Sequence, residues 1–276
     1  MAEKKFDAQK EVVNIVDDIR HYFAKNGTPD TKAVIGISGG KDSTIAAALL
    51  AMALGSDRVV GVLMPEHEQK DIQDSIRVCT ILGIKYYAVD IGGAMDALVE
   101  SMPEEIFGQR NEFFYTNTPA RLRMTTLYGI AALIGGRVIN TGNASEAYVG
   151  YTTKYGDLAG DYAVLRDYYV REVYQIGEVL MKLTNLPKDL IYKVPADGMS
   201  GKTDEDNMGI PYEVLDAYLI DGQTPPADIL HNITERHNRN KHKEAINLPH
   251  PRSVTRPYRY SHGGCYEDLS PFRNEF

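Results

Sequence analysis

The stretch that most constrains how this chain can fold is Ala33 to Leu50, AVIGISGGKDSTIAAALL. A short β-branched, apolar run, Ala33 to Ile37, passes through Ser38, Gly39 and Gly40 into an Ala/Leu-rich segment with helical spacing that begins at Lys41. The pattern predicts a strand, a glycine turn and a helix. Two glycines let the backbone turn sharply and bring its amides close to an anion. The helix behind them adds unpaired N–H groups and the positive end of its dipole, so a phosphate fits the turn. Asp42, in the first helical turn, is stabilised by the same dipole and is placed to hold a cation that bridges phosphates, while Ser38 and Ser43 add hydroxyl donors. The GxxxxGK[ST] spacing is absent, which speaks against an ordinary P-loop ATPase.

A chain of 276 residues suits one large α/β domain with a full core. Its net charge of −8, with 30 basic against 38 acidic residues, offers no general attraction to nucleic acid or an anionic membrane, so neither is expected as a partner. No apolar run approaches the ~20 residues that cross a bilayer, and MAEKKFDAQK does not read as a signal peptide, so a soluble, cytoplasmic protein is expected. Cys79 and Cys265 are too few and too isolated for a disulfide framework or a zinc site, and Cys79 falls in an apolar helical pattern where packing is its expected role.

In chain order, residues 5–25 predict an amphipathic helix, 58–64 a buried strand stopped by Pro65, 69–82 a helix and 85–90 a third strand. Strands alternating with helices imply a parallel sheet with helices on both faces and a ligand crevice at the strands' carboxyl ends. Gln69, in the loop after the second strand, opens on that rim and can bond an adenine edge; capping or solvent exposure is the expectation for Glu68 and Asp71. Residues 118–134 predict a long helix with little polar surface, buried in the domain or at a subunit contact. Arg121 and Arg123 lie about 200° apart around it, so they point different ways. Either one binds a ligand carboxylate or phosphate and the other a neighbouring element, or both form structural ion pairs. A fourth strand, 137–140, leads into TGNASEAYVGYTTKYGDLAGD, residues 141–161. The Thr141 hydroxyl ends a strand beside the first. Glu146 either shares a metal with Asp42 or is a helix-capping acid, and magnesium suits two carboxylates from separate strand ends plus substrate phosphates. Lys154, Asp157 and Asp161 sit in a glycine-rich loop, a setting for recognition. Helices are predicted over 170–182, 211–220 and 226–240, with a lid loop over 194–210. Residues 236–260 carry seven basic residues against one acid, a solvated tail or a segment that closes over a polyphosphate.

SGGKDS resembles the pyrophosphate loop of the N-type ATP pyrophosphatases, which cut ATP between the α and β phosphates. Over nearly its whole length the chain resembles the synthetase domain of the NAD synthetases. The strings that carry the resemblance are GISGGKDST at 36–44, NTPARLRM at 117–124, NTGNASEAYVGYTTKYGD at 140–157, SGKTDEDNMGI at 200–210 and HK at 242–243. It implies a single domain over 1–276 with an adenine nucleotide alpha hydrolase-like, Rossmann-like fold. It also implies ATP-dependent amidation of nicotinic acid adenine dinucleotide (deamido-NAD) by ammonia through an adenylated intermediate, with Mg2+ and as a homodimer. Carried over residue by residue, Gly36, Ile37, Ser38, Gly39, Gly40, Lys41, Asp42, Ser43 and Thr141 hold ATP, and Asp42 and Glu146 ligate the metal. Phe113, Arg121 or Arg123, Lys154, Asp157, Asp161, His242 and Lys243 face the dinucleotide, with Asp157 near the ammonia. The catalytic set is then Asp42, Glu146 and Asp157. Two departures stand out: many family members carry a lysine where this chain has Val170, and a Ser or Thr where it has Pro195-Ala196. Lys202 is predicted to replace the missing charge. The rival readings are another ATP pyrophosphatase, GMP synthetase-like or tRNA-modifying, and a nucleotide-binding module with weakened catalysis.

Overall fold

The computed structural model describes residues 6–68, 72–107, 111–194 and 202–243. Helix α1 (Ala8–Asn26) leads into β1 (Lys32–Gly36), α2 (Lys41–Leu54), β2 (Val59–Leu63), α3 (Ile72–Leu82) and β3 (Lys85–Ala88). Helices α4 (Gly92–Ser101), α5 (Glu104–Phe107) and α6 (Glu112–Ile134) follow, then β4 (Gly136–Asn140), α7 (Ala144–Val149) and the two-residue β5 (Tyr162–Ala163). The chain continues through α8 (Val170–Thr184), α9 (Lys188–Ile191), α10 (Asp204–Met208), α11 (Tyr212–Asp221) and α12 (Ala227–Asn240). The strands form one parallel sheet in the order β3-β2-β1-β4-β5. From β1 the chain winds outward to β2 and β3, and β4 returns to its other side. The strand order therefore reverses between β1 and β4, where a parallel sheet opens its crevice.

Alternation along the strands separates two faces. Ala33 and Ile35 of β1, with Ile139 of β4, join α1, α2, α3, α8 and α9 in the larger core, whose interior includes Ile15, Phe23, Leu49 and Ile176. Val34, Val62 and Val138 point the other way, against Met124, Leu127 and Ala131 of α6. Cys79 of α3 is buried against Gly61, and burial pushes its thiol up to about 12, which leaves it a packing group. A third apolar cluster joins α7, the start of α8, α10, α11 and α12 through Val149, Val170, Ile210, Leu215 and Ile233. This helical annex begins with α7, which follows the carboxyl end of β4, the rim on which a sheet of this kind binds ligands.

The long helix differs from its sequence reading in both start and setting. It begins at Glu112, six residues before the predicted position, because the Asn111 side-chain Oδ1 accepts the Phe113 N–H and caps it. Pro119 lies inside the helix. Only Pro119, Met124, Leu127 and Ala131 are buried, and Leu133 is 87% exposed, so α6 is half covered rather than buried in the domain. Gln69, Pro195-Ala196, most of the lid loop, the basic segment beyond 243 and Cys265 fall outside the described residues.

Candidate active site

The loop after β1 is closed by its own hydroxyls. The Ile37 N–H extends the ladder to the Val62 carbonyl at 3.0 Å, and the Ser38 and Ser43 hydroxyls lie 3.1 Å apart. Ser38 Oγ accepts the Gly40 N–H, and Thr44 Oγ1 donates to the Gly40 carbonyl at 2.8 Å. Gly39 has φ +80°, and a Cβ there would lie 2.9 Å from Asp74 Cβ, so both conformation and space demand glycine. Gly40 is the N-cap of α2 and offers no side chain to the first-turn amides, which leaves that helix end open to an anion.

Two carboxylates converge beside this loop from different strand ends. Asp42 stands in the first turn of α2, after β1, and Glu146 in the first turn of α7, after β4. The buried Asn143 joins them: its Oδ1 accepts the Glu146 N–H at 3.0 Å, and its Nδ2 donates to Asp42 Oδ1 at 3.3 Å. Burial and then the charge of Asp42 push the Glu146 carboxyl up to about 8, with Asp204 and Asp157 adding to the rise and Lys41 opposing it. The Lys41 ammonium lies 2.7 Å from Asp42 Oδ2 in a residue only 3% exposed. Burial pulls the Lys41 pKa down, but Asp42 and Glu146 more than offset that and hold it above the usual lysine value. Tyr212 closes the far side, its hydroxyl donating to Glu146 Oε1 at 3.4 Å. Among the described residues no set of three or more His, Cys, Asp or Glu side chains forms a metal cage.

The remaining candidates are distributed along the rim. Thr141 directly follows β4, beside β1. The two arginines of α6 do diverge. Arg123 turns inward and donates to the Met64 carbonyl at 3.0 Å, while the exposed Arg121 donates to the Lys154 carbonyl at 3.2 Å. Phe113, on the first turn of α6, is 70% exposed. Asp157 accepts the Thr153 N–H at 2.8 Å; crowding by protein raises its carboxyl, against that bond and the Lys243 charge. Lys243 is committed to the carbonyls of Gly150 and Thr152 at 2.8 and 2.7 Å, and burial lowers its pKa. The Lys154 ammonium reaches the His242 carbonyl at 3.4 Å, and the His242 ring turns to the Arg239 carbonyl. The Asp161 carboxylate accepts the Val138 N–H at 2.7 Å and the Tyr128 hydroxyl at 3.3 Å, extending the sheet's bonding where β5 is short. Lys202 is exposed ahead of α10, where its charge acts on Asp206. Val170 is buried at the start of α8, in the annex core.

A family model described as NAD synthase matches residues 11–248. The chain belongs to the NAD synthase family. It is 37% identical over 217 residues to the NH3-dependent NAD+ synthetase of Pyrococcus furiosus, covering 78% of this chain and 79% of that one. It is 36% identical over 253 residues to the NH3-dependent NAD+ synthetase of Methanosarcina mazei, covering 86% and 96%. The solved structure of NMN synthetase from Francisella tularensis superposes with a TM-score of 0.78 at 32% identity, covering 88% of this chain and 98% of that one.

Within this NAD synthase fold, several site residues escape a reading of sequence alone. Asn143 ties two elements together, and its only signal is an Asn three residues before an acid at a helix start. Tyr174 and Tyr212 present ring faces to Lys41, 5.8 and 5.5 Å from its nitrogen, from helices more than a hundred residues away in sequence. Ser145, fully buried, donates to Asp216 at 2.6 Å and accepts the Val170 N–H at 3.0 Å, locking α7 to α8 and α11. The α12 helix clamps the end of α7: a Cβ on Gly150, at φ +65°, would lie 2.1 Å from Asn240 Cβ. That close approach sets Lys243 over the 150–157 loop.

Proposed function

We propose that the chain forms NAD by amidating deamido-NAD with ammonia at the expense of ATP, releasing AMP and pyrophosphate. The observation that carries this reading is the meeting of Asp42 and Glu146, from either side of the β1/β4 reversal, beside an anion-binding glycine turn. In the first step a carboxylate oxygen of deamido-NAD attacks the α phosphorus of ATP and pyrophosphate leaves. In the second, ammonia attacks the activated carbonyl carbon, loses a proton, and AMP departs. The first-turn amides of α2 with the Ser38 and Ser43 hydroxyls hold the leaving pyrophosphate, so the protein works by positioning and charge stabilisation. Asp157, with a carboxyl more basic than usual, orients ammonium and accepts its proton.

The donor set suits Mg2+: two hard carboxylate oxygens from separate elements, with excess negative charge around them and the remaining positions left to phosphate and water. Asp42 and Glu146 would hold the ion there, and it would supply charge neutralisation on the phosphate oxygens. Lys154 and Arg121, linked across the rim, and the exposed Phe113 ring form the dinucleotide side. The uncovered apolar residues of α6 support a homodimer, and no described helix is long and apolar enough to cross a membrane. The test is incubation with ATP, Mg2+, ammonium and deamido-NAD while AMP and NAD are measured. AMP release that does not depend on deamido-NAD overturns the assignment. Because the Francisella neighbour is an NMN synthetase, the same assay is run with the acid form of NMN. Faster amidation of that mononucleotide moves the preferred substrate to the smaller acid and leaves the two-step chemistry intact.

A further inference from the structure

Neighbouring side chains on a helix point about 100° apart, so residues in sequence do not ordinarily face each other. Lys41 and Asp42 are an exception: the lysine folds back until its ammonium lies 2.7 Å from Asp42 Oδ2. Nor does it reach outward to solvent, as a lysine at a helix start ordinarily does. It is 3% exposed, with the ring of Tyr174 from α8 and that of Tyr212 from α11 within 6 Å of its nitrogen, at 5.8 and 5.5 Å. Removing an ammonium from water is costly and persists where charge and aromatic faces offset it. Here the partners are the carboxylates of the proposed metal site. Asp42 has one oxygen on Lys41 and the other on Asn143, which fixes its rotamer, and the Glu146 charge acts on the same ammonium.

We propose that Lys41 is a positioning residue, an internal counter-ion that holds Asp42 facing Glu146 before any cation or nucleotide arrives and pins the start of α2 to α8 and α11. Its ammonium is held against Asp42 between the faces of the two tyrosines, in a residue 3% exposed. The proposal builds on reading this cleft as the metal and ATP site, yet its first test uses neither ligand.

The experiment is a double-mutant cycle on thermal unfolding of the full chain in EDTA, with Lys41→Met, Asp42→Asn and the double variant. Breaking a buried pair on one side leaves a charge unpaired, so Lys41→Met lowers Tm by roughly 10 °C in the native background and by less than half of that when Asp42 is already Asn. Equal losses in both backgrounds, or none, overturn the proposal, because a lysine that merely packs gives additive effects. If Lys41→Met alone does not fold, recovery of a cooperative transition on adding Asp42→Asn supports the proposal, and no recovery overturns it. A second readout is a Mg2+ titration, in which the ion raises the Tm of Lys41→Met more than that of the native chain, since it takes over the missing neutralisation; where Mg2+ stabilises the native chain, an equal or smaller rise in the variant overturns the proposal. If Mg2+ moves neither protein, the metal reading falls, and the cycle in EDTA alone decides the role of Lys41.

Discussion

The two ends of the cleft are built on different principles. At the β1/β4 end, Asp42, Glu146 and Lys41 are drawn out of water and held by Asn143, Tyr174 and Tyr212, so each charge is defined by its neighbours. At the α6 end, Arg121 and Phe113 are exposed and Lys154 is half-buried, and the two cations touch the rest of the protein mainly through backbone carbonyls. A charge-balanced interior suits the step in which phosphate charge is redistributed, because a low-dielectric setting magnifies each interaction. A solvated rim suits a large, flexible substrate that must enter and leave. The same change of charge therefore has unequal consequences at the two ends.

The sharpest break in that comparison comes from neutralising the interior. Asp42→Asn or Glu146→Gln is expected to lower kcat on the order of a thousandfold or more, with deamido-NAD affinity largely kept, in steady-state assays of AMP release. Retained turnover in either variant removes the interior end from the chemistry. A second effect concerns pH in metal-free protein. The folded-state pKa of Glu146 is raised from its ordinary 4.5 to about 8, so between these values the folded chain holds a proton that the unfolded chain has lost. The stability tied to that proton is fully present below about pH 4.5 and is lost as pH rises through 8. In EDTA the Tm advantage of Glu146→Gln over the native chain therefore grows from pH 5 to pH 9, and a constant difference contradicts the assignment. The smallest effect is expected at the rim. Lys154→Ala raises KM for deamido-NAD roughly tenfold, about 1.4 kcal/mol, with KM for ATP nearly unchanged, and a matching rise in both would dissolve the distinction between the ends.

What could be read from residues alone follows the same division between local and distant causes. The strand, glycine turn and helix over 33–50 were legible because φ, capping and apolar spacing are local properties. The parallel sheet with helices on both faces followed from the alternation of strands and helices. The divergence of Arg121 and Arg123 followed from helical geometry alone. The long helix was read six residues short, from residue 118, because the stronger start signal, Asn111 as a cap, lies farther upstream. Its apolar sequence suggested burial in the domain or at a subunit contact, and within the chain the face opposite Met124 and Leu127 is uncovered; composition does not say which neighbours cover a helix. That the Asp161 carboxylate also completes the sheet at Val138 was not legible, because nothing in the loop's composition announces a two-residue strand. The burial of Lys41 was hidden for the same reason, since Tyr174 and Tyr212 meet it only after α8 and α11 have docked.

Asn143 carries a consequence out of proportion to its size. One amide presents nitrogen to Asp42 and oxygen to the backbone of Glu146, so the residue has a single permitted orientation. Hydrolysis of that amide to an aspartate would preserve the outline of the side chain while turning a donor into a further negative charge aimed at Asp42. Chemical ageing at this position would then yield molecules of unaltered silhouette that have lost their catalytic competence, invisible to any method that reports only on shape.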